Sequence, residues 1–273
     1  MPRFAARAAA ATLIVASTLA LPVSLAAQGW SPPHIPAARG DFVFLGEALV
    51  FASGASLLDH RFALEMQEPD GFRRDMRGAT SVGKTIGQYG PIGLTVAAYG
   101  VGRLTHHDAL TRTGRDGAVA LLLAGAATTF VKGVVGRERP NVANGDPDVY
   151  KFGHGFTNNA FASFPSGHTS GAFAIATVLD RETAHSSTLV HRTTQIAAYG
   201  LATSVGLSRM YQNMHWSSDV IAGAAVGITS GLIATRHTTL TASAPPGELA
   251  RALSHVSVAP ARRGGVTLGV SFH

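Results

Sequence analysis

The sequence predicts an all-α fold, an antiparallel bundle of about six core helices with a small C-terminal hairpin. Two observations carry this expectation. Hydrophobic residues make up 46% of the 273 residues and charged residues only 14%, with 31 glycines, a composition suited to closely packed helices. The apolar residues also recur at helical spacing in long blocks, and alternate only near the C-terminus. Nothing resembles a linker between two cores, so one main domain is expected. The net charge of +6 is spread along the chain without a basic run interleaved with aromatics, which argues against nucleic acid and for an anionic small molecule or membrane surface. Cysteine is absent, which excludes disulfides and thiolate metal sites.

Residues 1–26 read as an export signal: Arg3 and Arg7, an apolar run from Ala8 to Leu21, and Ser24-Leu25-Ala26 as a small-x-small cleavage site. The competing reading is an uncleaved anchor, because Ala8 to Ala27 is about long enough to span a bilayer. Residues 27–40, with Pro32, Pro33 and Pro36, form an irregular lead-in. The helical domain covers 41–240. Its first helix runs from Asp41 to about Met66, with Glu47 and Asp59 interrupting an apolar side. Residues 68–78 form a charged connection. Thr80 to Arg103 is a second helical region, broken near Gly90-Pro91, and Asp108 to Gly136 a third, ended by Pro140. Asn141 to Phe164 is polar and irregular, a surface loop near the site. A helix starting at Ser166-Gly167-His168 follows, then Thr193 to about Met210 and about Trp216 to Thr235. The last carries Gly223, Gly227 and Gly231, a smooth stripe for close helix approach. Residues 241–273 form a tail with a hairpin around Arg262-Arg263-Gly264-Gly265. The uncharged stretches, such as Thr85 to Gly102 and Gly117 to Val131, are short or marginal for spanning a membrane. This favours a compact exported, periplasmic bundle, associated with a membrane at most, over an integral one.

Three stretches carry chemistry. In "FPSGH", Pro165 fixes the approach, Ser166 suits an N-cap, and Gly167 lets backbone come close to a bound group, so the first-turn amides of the helix can take an anion. His168 is then placed to protonate a departing oxygen. "KGVVGRERP" supplies Lys132 and Arg139, and "SRMYQNMHWSSD" supplies Arg209, His215 and Asp219. Spaced four apart at a helix start, His215 and Asp219 share a face, so the carboxylate can orient a neutral imidazole to act as nucleophile or base. Each stretch alone has a plain explanation: an N-cap, cations at a helix C-terminus, an acid at a helix N-terminus. Together, three cations, a helix start and two histidines meet the needs of phosphoryl transfer, and no cofactor or metal is called for.

With these residues the sequence resembles the type 2 phosphatidic acid phosphatase superfamily. That family's signature is Lys-x6-Arg-Pro, Pro-Ser-Gly-His and Ser-Arg-x5-His-x3-Asp. Lys132, Arg139 and Pro140, then Pro165 to His168, then Ser208, Arg209, His215 and Asp219 match every specified position in order. The resemblance implies that His215 attacks phosphorus to form a phosphohistidine, that Asp219 orients it, and that His168 protonates the leaving alkoxide and later activates water. It further implies that Lys132, Arg139, Arg209, Ser166 and the Gly167 amide hold the phosphoryl oxygens. The activity implied is hydrolysis of phosphate monoesters or diphosphates, with phosphatidic acid and polyprenyl diphosphates among the candidates. Two rivals are a vanadium-dependent haloperoxidase and a non-catalytic bundle that binds anionic lipids. The short gap of residues 141–164 between the first two motifs argues against the first, and the intact motifs against the second.

Other residues rank lower. His154 reads as a solvated loop histidine, and His106-His107-Asp108 as a polar helix junction, since adjacent helical residues face different ways. Glu138 most simply balances the arginines beside it, and Trp216 reads as packing. The oligomeric state is not legible.

Overall fold

In the computed structural model, residues 37–67, 71–143, 146–243, 256–260 and 266–270 are described. The expected export signal and most of the lead-in lie outside them. The chain divides into two units, residues 1–235 and 236–273. The first is built of six helical rods. Helix α1 (Ala37–Ala55) and α2 (Asp59–Gln67), joined by a 3-10 turn at Ser56–Leu58, make one rod. The others are α3 (Gly71–Leu104), α4 (Asp108–Val135), α5 (Gly167–Thr183), α6 (Thr188–Tyr211) and α7 (Ser217–Ser243), whose last residues belong to the second unit. That unit contains strands β1 (Val256–Pro260) and β2 (Val266–Val270), antiparallel, with Val258 opposite Leu268.

Several boundaries differ from the sequence expectation, among them the end of α7, which runs on past Thr235 to Ser243. The first helix begins at Ala37, inside the expected lead-in. The expected charged connection is instead the start of α3, which runs 34 residues through Pro91 without a break. Pro91 costs the helix one donor, the amide that would reach the residue 87 carbonyl, and the helix continues through it. Packing holds the rest: Cβ atoms added at Gly83 and Gly87 would meet Ser208 and Val205 of α6 at 2.8 and 2.4 Å. Helix α6 starts five residues early because Ser187 caps it, its hydroxyl accepting from the Val190 amide. Helix α4 is ended by Gly136 ahead of Pro140. Gly136 adopts a left-handed conformation (φ 58°), and its amide donates to the Lys132 carbonyl.

The glycine stripe on α7 lies against α5. Cβ atoms at Gly223 and Gly227 would fall 2.5 and 2.3 Å from the carbonyl oxygens of Ser166 and Ser170. Phe173, Ala174, Val178, Val220 and Ala224 close the core around this contact. His107 caps α4, its Nδ1 accepting from the Leu110 amide at 3.4 Å, so the His-His-Asp stretch is a helix junction. Because rods successive in the chain run in opposite directions, while α5 and α7 pack side by side in the same direction, the starts of α5 and α7 and the ends of α2, α4 and α6 gather at one end.

The expectation that the helices are too short to cross a membrane is overturned. Arg39–Gln67 (29 residues), Asp108–Val135 (28) and Ser217–Arg236 (20) are each long and apolar enough to do so. The uncharged runs understated them, because helices continue through isolated polar residues. The first two present most of their apolar surface outward, including Phe42, Val50, Leu122 and Phe130, whereas α7 is interior.

Gly136 offers a test of this geometry. A Cβ there would lie 1.8 Å from the Lys151 carbonyl oxygen, on backbone that favours glycine. Gly136→Ala should cost at least about 1–3 kcal/mol, seen as a lowered thermal midpoint of the purified protein; an unchanged midpoint would contradict the local backbone.

Candidate active site

Four of the gathered segments supply side chains. Lys132, in the last turn of α4, sends its ammonium across to the loop before α5, donating to the Ala162 carbonyl at 2.8 Å and the Ser163 carbonyl at 3.4 Å. Arg139 is buried. It donates from Nε to the Asn159 carbonyl (2.8 Å), from Nη2 to Asn159 Oδ1 (3.0 Å) and from Nη1 to the Met214 carbonyl (3.1 Å). Arg209, buried at the end of α6, donates from Nη1 to Gln212 Oε1 at 2.5 Å, and its buried Nε has no partner among the described residues. Among the described residues, the hydrogen bonds of all three cations therefore end on neutral oxygens, which hold the side chains without cancelling their charge. Lys132 lies in the fields of Arg139, Arg209 and Asp219, so the three cations share one site. Burial, with Arg139 adding to it, lowers Arg209 to about 10. Burial also lowers Arg139, against the opposing pull of Asp219.

The start of α5 faces these cations: Gly167 Cα lies against Lys132, whose Cε would be 3.8 Å from an added Cβ. Ser166 occupies the N-cap position, but its side chain makes no cap hydrogen bond and instead accepts from Thr169 Oγ1 at 2.8 Å. Ser166 is fixed from behind, its amide donating to the Asp219 carbonyl at 2.9 Å. The first-turn amides are thus left without the side-chain cap that the sequence suggests, at the positive end of a 17-residue helix. His168, half-buried, follows directly in that turn.

His215 and Asp219 are both buried, and His215 Nδ1 stands 3.6 Å from Asp219 Oδ2. That is an ion-pair distance that must shorten slightly to make a good hydrogen bond, as is common in ligand-free sites. Burial pushes the His215 imidazole down to about 3, with Lys132 and Arg139 also lowering it and the hydrogen bond to Asp219 opposing. It is therefore neutral at neutral pH. Asp219 Oδ2 further accepts from Ser163 Oγ (2.5 Å) and the Trp216 amide (2.8 Å), and Oδ1 accepts from Arg137 Nη1 (2.8 Å).

Every candidate from the three motifs lies at this end of the bundle. The sequence reading missed the residues behind them. Arg137, 1% exposed, bridges Asp219 to Asp59, itself fully buried on α2. The expectation that Glu138 balances the neighbouring arginines is therefore wrong for Arg137, whose ion pairs are with Asp59 and Asp219; Glu138 contributes its carbonyl, which accepts from the Trp216 indole at 3.0 Å. The signal for Asp59 was present as an acid on the apolar side of the first helix. Ser163 and Asn159 sit in a loop with no pattern to mark them. His154 is exposed and stacks edge-on against Phe161 at 5.7 Å. Beside the site, a cavity of about 360 Å³ is lined by His60, Leu64, Gln67, Asn141, Asn213 and Trp216.

Comparison with known proteins places the segment that carries the motifs among related sequences and this fold beside a solved one. Residues 116–240, which hold all three motifs, match the PAP2 superfamily. A lipid A 1-phosphatase from Rhizobium johnstonii is 31% identical over 115 residues, 41% of this chain and 43% of that protein. A lipid A 1-phosphatase from Porphyromonas gingivalis is 46% identical over 69 residues, 25% of this chain and 15% of that protein. The chain thus spans less than half the length of these curated relatives. The crystal structure of a transmembrane PAP2 type phosphatidylglycerolphosphate phosphatase from Bacillus subtilis aligns with a TM-score of 0.50 and 21% identity, over 73% of this chain and 96% of that one, a likeness of fold. A matching fold, a family match over the segment that carries the three motifs, and those motifs brought to one place point the same way: residues 116–240 are similar to the PAP2 superfamily.

Proposed function

We propose that this chain is a phosphatase that hydrolyses lipid phosphate monoesters or diphosphates through a phosphohistidine intermediate. The observation that carries the reading is the set of three cations held by neutral oxygens around an uncapped helix start, with a neutral, carboxylate-backed imidazole beside them. Lys132, Arg139 and Arg209, with the Ser166 hydroxyl and the Gly167 amide, bind the phosphoryl oxygens and stabilise the charge of the five-coordinate transition state. His215 attacks phosphorus through Nε2, while Asp219 holds Nδ1 and stabilises the cation formed. His168 gives its proton to the leaving oxygen, then takes one from the water that hydrolyses the phosphohistidine. This mechanism asks nothing of a metal.

We place the protein in a membrane, exported in orientation, with its site on the periplasmic side. Asp59 follows Arg39 by 20 residues, about 30 Å of helix and close to the thickness of the hydrocarbon layer. The site then lies at the interface, where a lipid headgroup meets water. The outward apolar side chains of α1 and α4 support this arrangement. The cavity next to the site, built by α2 and the connections after Arg139 and Tyr211, is suited to the part of the substrate beyond the phosphate. Support for lipid substrates comes from the relatives, two of which act on lipid A.

The purified chain in detergent, without added metal, should hydrolyse phosphatidic acid or a polyprenyl diphosphate faster than an aryl phosphate, and orthovanadate should inhibit it. No hydrolysis of any of the three, or bromide oxidation in the presence of vanadate, would overturn the reading. His215→Ala should abolish turnover and the acid-labile phosphoenzyme, while His168→Ala should lower kcat by about 10²–10⁴-fold.

The pH profile follows from the sign of the His215 shift. A nucleophilic imidazole works when neutral, and one lowered to about 3 stays neutral through mildly acidic pH. Once the substrate's own ionisation is divided out, kcat/KM should not fall between about pH 6.5, the ordinary imidazole value, and pH 4. The alkaline limb reports loss of the His168 proton. An acid limb near pH 6.5 would show that His215 titrates normally.

A further inference from the structure

Arg137 lies between two residues of the first motif but does none of their work. All five of its N–H groups are spent on protein acceptors. Nε and Nη2 donate to the Pro147 carbonyl at 3.0 and 2.9 Å, Nη1 to Ser218 Oγ at 2.7 Å and Asp219 Oδ1 at 2.8 Å, and Nη2 to Asp59 Oδ2 at 2.8 Å. No donor remains for a phosphoryl oxygen, in contrast to the buried Nε of Arg209. The guanidinium is also clamped between the rings of Tyr150 and Trp216, 5.5 Å from each centroid.

Asp59 completes the device. It is fully buried, and its Oδ1 accepts from the Ser218 amide at 2.9 Å and from the Ser217 hydroxyl. Its Oδ2 accepts from Arg137 and from the Ser218 hydroxyl. It thus ties α2 to the first turn of α7, the turn that presents Asp219. With Asp219 Oδ1 taken by Arg137, and Oδ2 by Ser163 and the Trp216 amide, the carboxylate has one orientation, and in it Oδ2 faces His215.

We propose that Arg137, anchored by Asp59, is the positioning residue of the nucleophile, fixing the Asp219 carboxylate that in turn holds His215. Asp59 lies outside the segment that matches the family, so the support of the nucleophile extends to the N-terminal rod. The two residues act in series: Asp59 sets the guanidinium, the guanidinium sets Oδ1 of Asp219, and Oδ2 sets the imidazole tautomer. The proposal rests on the phosphatase reading, and wild-type turnover in the same assay separates failure of that reading from failure of this one.

The test is a pair of variants of the full chain in detergent. Asp59→Asn with Arg137→Gln keeps the net charge of the buried cluster, since one carboxylate and one guanidinium are lost together, and Asp219 retains its hydrogen bonds from Ser163 and the Trp216 amide. Per folded molecule, kcat should fall by about 10- to 100-fold, as expected when a reacting group is displaced by about an ångström, with KM within twofold. The acid limb of kcat/KM should also move to higher pH. Lys132 of α4 and Arg139 still face His215 and lower its affinity for a proton, but Asp219, no longer shared with Arg137, raises it. A merely structural role would lower the thermal midpoint and leave kcat and the acid limb in place. That result, or a rise in KM at unchanged kcat, overturns the proposal. Should the double variant not fold, Asp59→Asn alone decides, because it keeps the Arg137–Asp219 pair; a kcat equal to wild type overturns the proposal and a fall of about tenfold supports it.

Discussion

Positive charge held in place but not neutralised is the constraint on which this structure depends. Lys132, Arg139 and Arg209 make their hydrogen bonds to the oxygens of Ala162, Ser163, Asn159, Met214 and Gln212. An oxygen of that kind fixes geometry at little electrostatic cost to the next ligand. Two charges 4 Å apart interact by about 4 kcal/mol at an effective dielectric constant near 20, so an arriving phosphoryl group gains from each cation in turn. The irregular backbone at residues 159–163 and 212–214 brings these acceptors within reach, while much of the preceding loop, Phe152 and Phe156 included, is exposed.

The bundle decides where that charge can be useful. Two helix starts, those of α5 and α7, open into the same end of the molecule, and either could in principle bind an anion. The protein fills one of them itself: Asp59 accepts from the Ser218 amide and Asp219 from the Trp216 amide at the start of α7. The other is left without a side-chain cap, because the Ser166 hydroxyl is turned toward Thr169. The glycine stripe on α7 lets the two helices approach until added Cβ atoms would touch the Ser166 and Ser170 carbonyls. The filled start and the open one are then adjacent, and Asp219, which we propose orients the nucleophile, is joined to the start of α5 by the hydrogen bond from the Ser166 amide to its carbonyl.

What the sequence disclosed follows from this division. The groups we propose to meet the substrate sit at fixed spacing within short motifs, so Lys132, Arg139, His168, Arg209, His215 and Asp219 are candidates that the sequence names by itself. Groups that support them come from elsewhere and look like exceptions to local rules. Asp59 registered only as a charge on an apolar helix face, and Arg137 as a neighbour of Glu138, because the distance between residues 59, 137 and 219 along the chain conceals a contact under 3 Å. The helix errors have a similar origin. Pro91 and the charged residues after Gly71 argue locally against a helix, and only the packing of α3 against α6 through Gly83 and Gly87 shows why one forms. Membrane-spanning length was underestimated because it was counted in uncharged residues, whereas the helices include polar groups that the bundle satisfies internally.

A buried chain of carboxylate, guanidinium and carboxylate is a costly way to stabilise a bundle. Desolvating ions costs several kcal/mol each, and well-packed apolar residues of the same volume often do as well or better. Stability alone therefore does not account for Asp59 and Arg137, one of them fully buried and the other nearly so. Orientation does. An apolar contact can hold α2 against α7 but cannot set the rotation of a carboxylate, and a part-turn of the Asp219 carboxylate would leave neither oxygen in line with His215 Nδ1. Directional hydrogen bonds from a planar donor clamped between Tyr150 and Trp216 do set that rotation. The charge is matched as well: the guanidinium offsets one of its two carboxylates, leaving this buried cluster behind His215 with one negative charge, which would stabilise the imidazole in the proposed phosphohistidine.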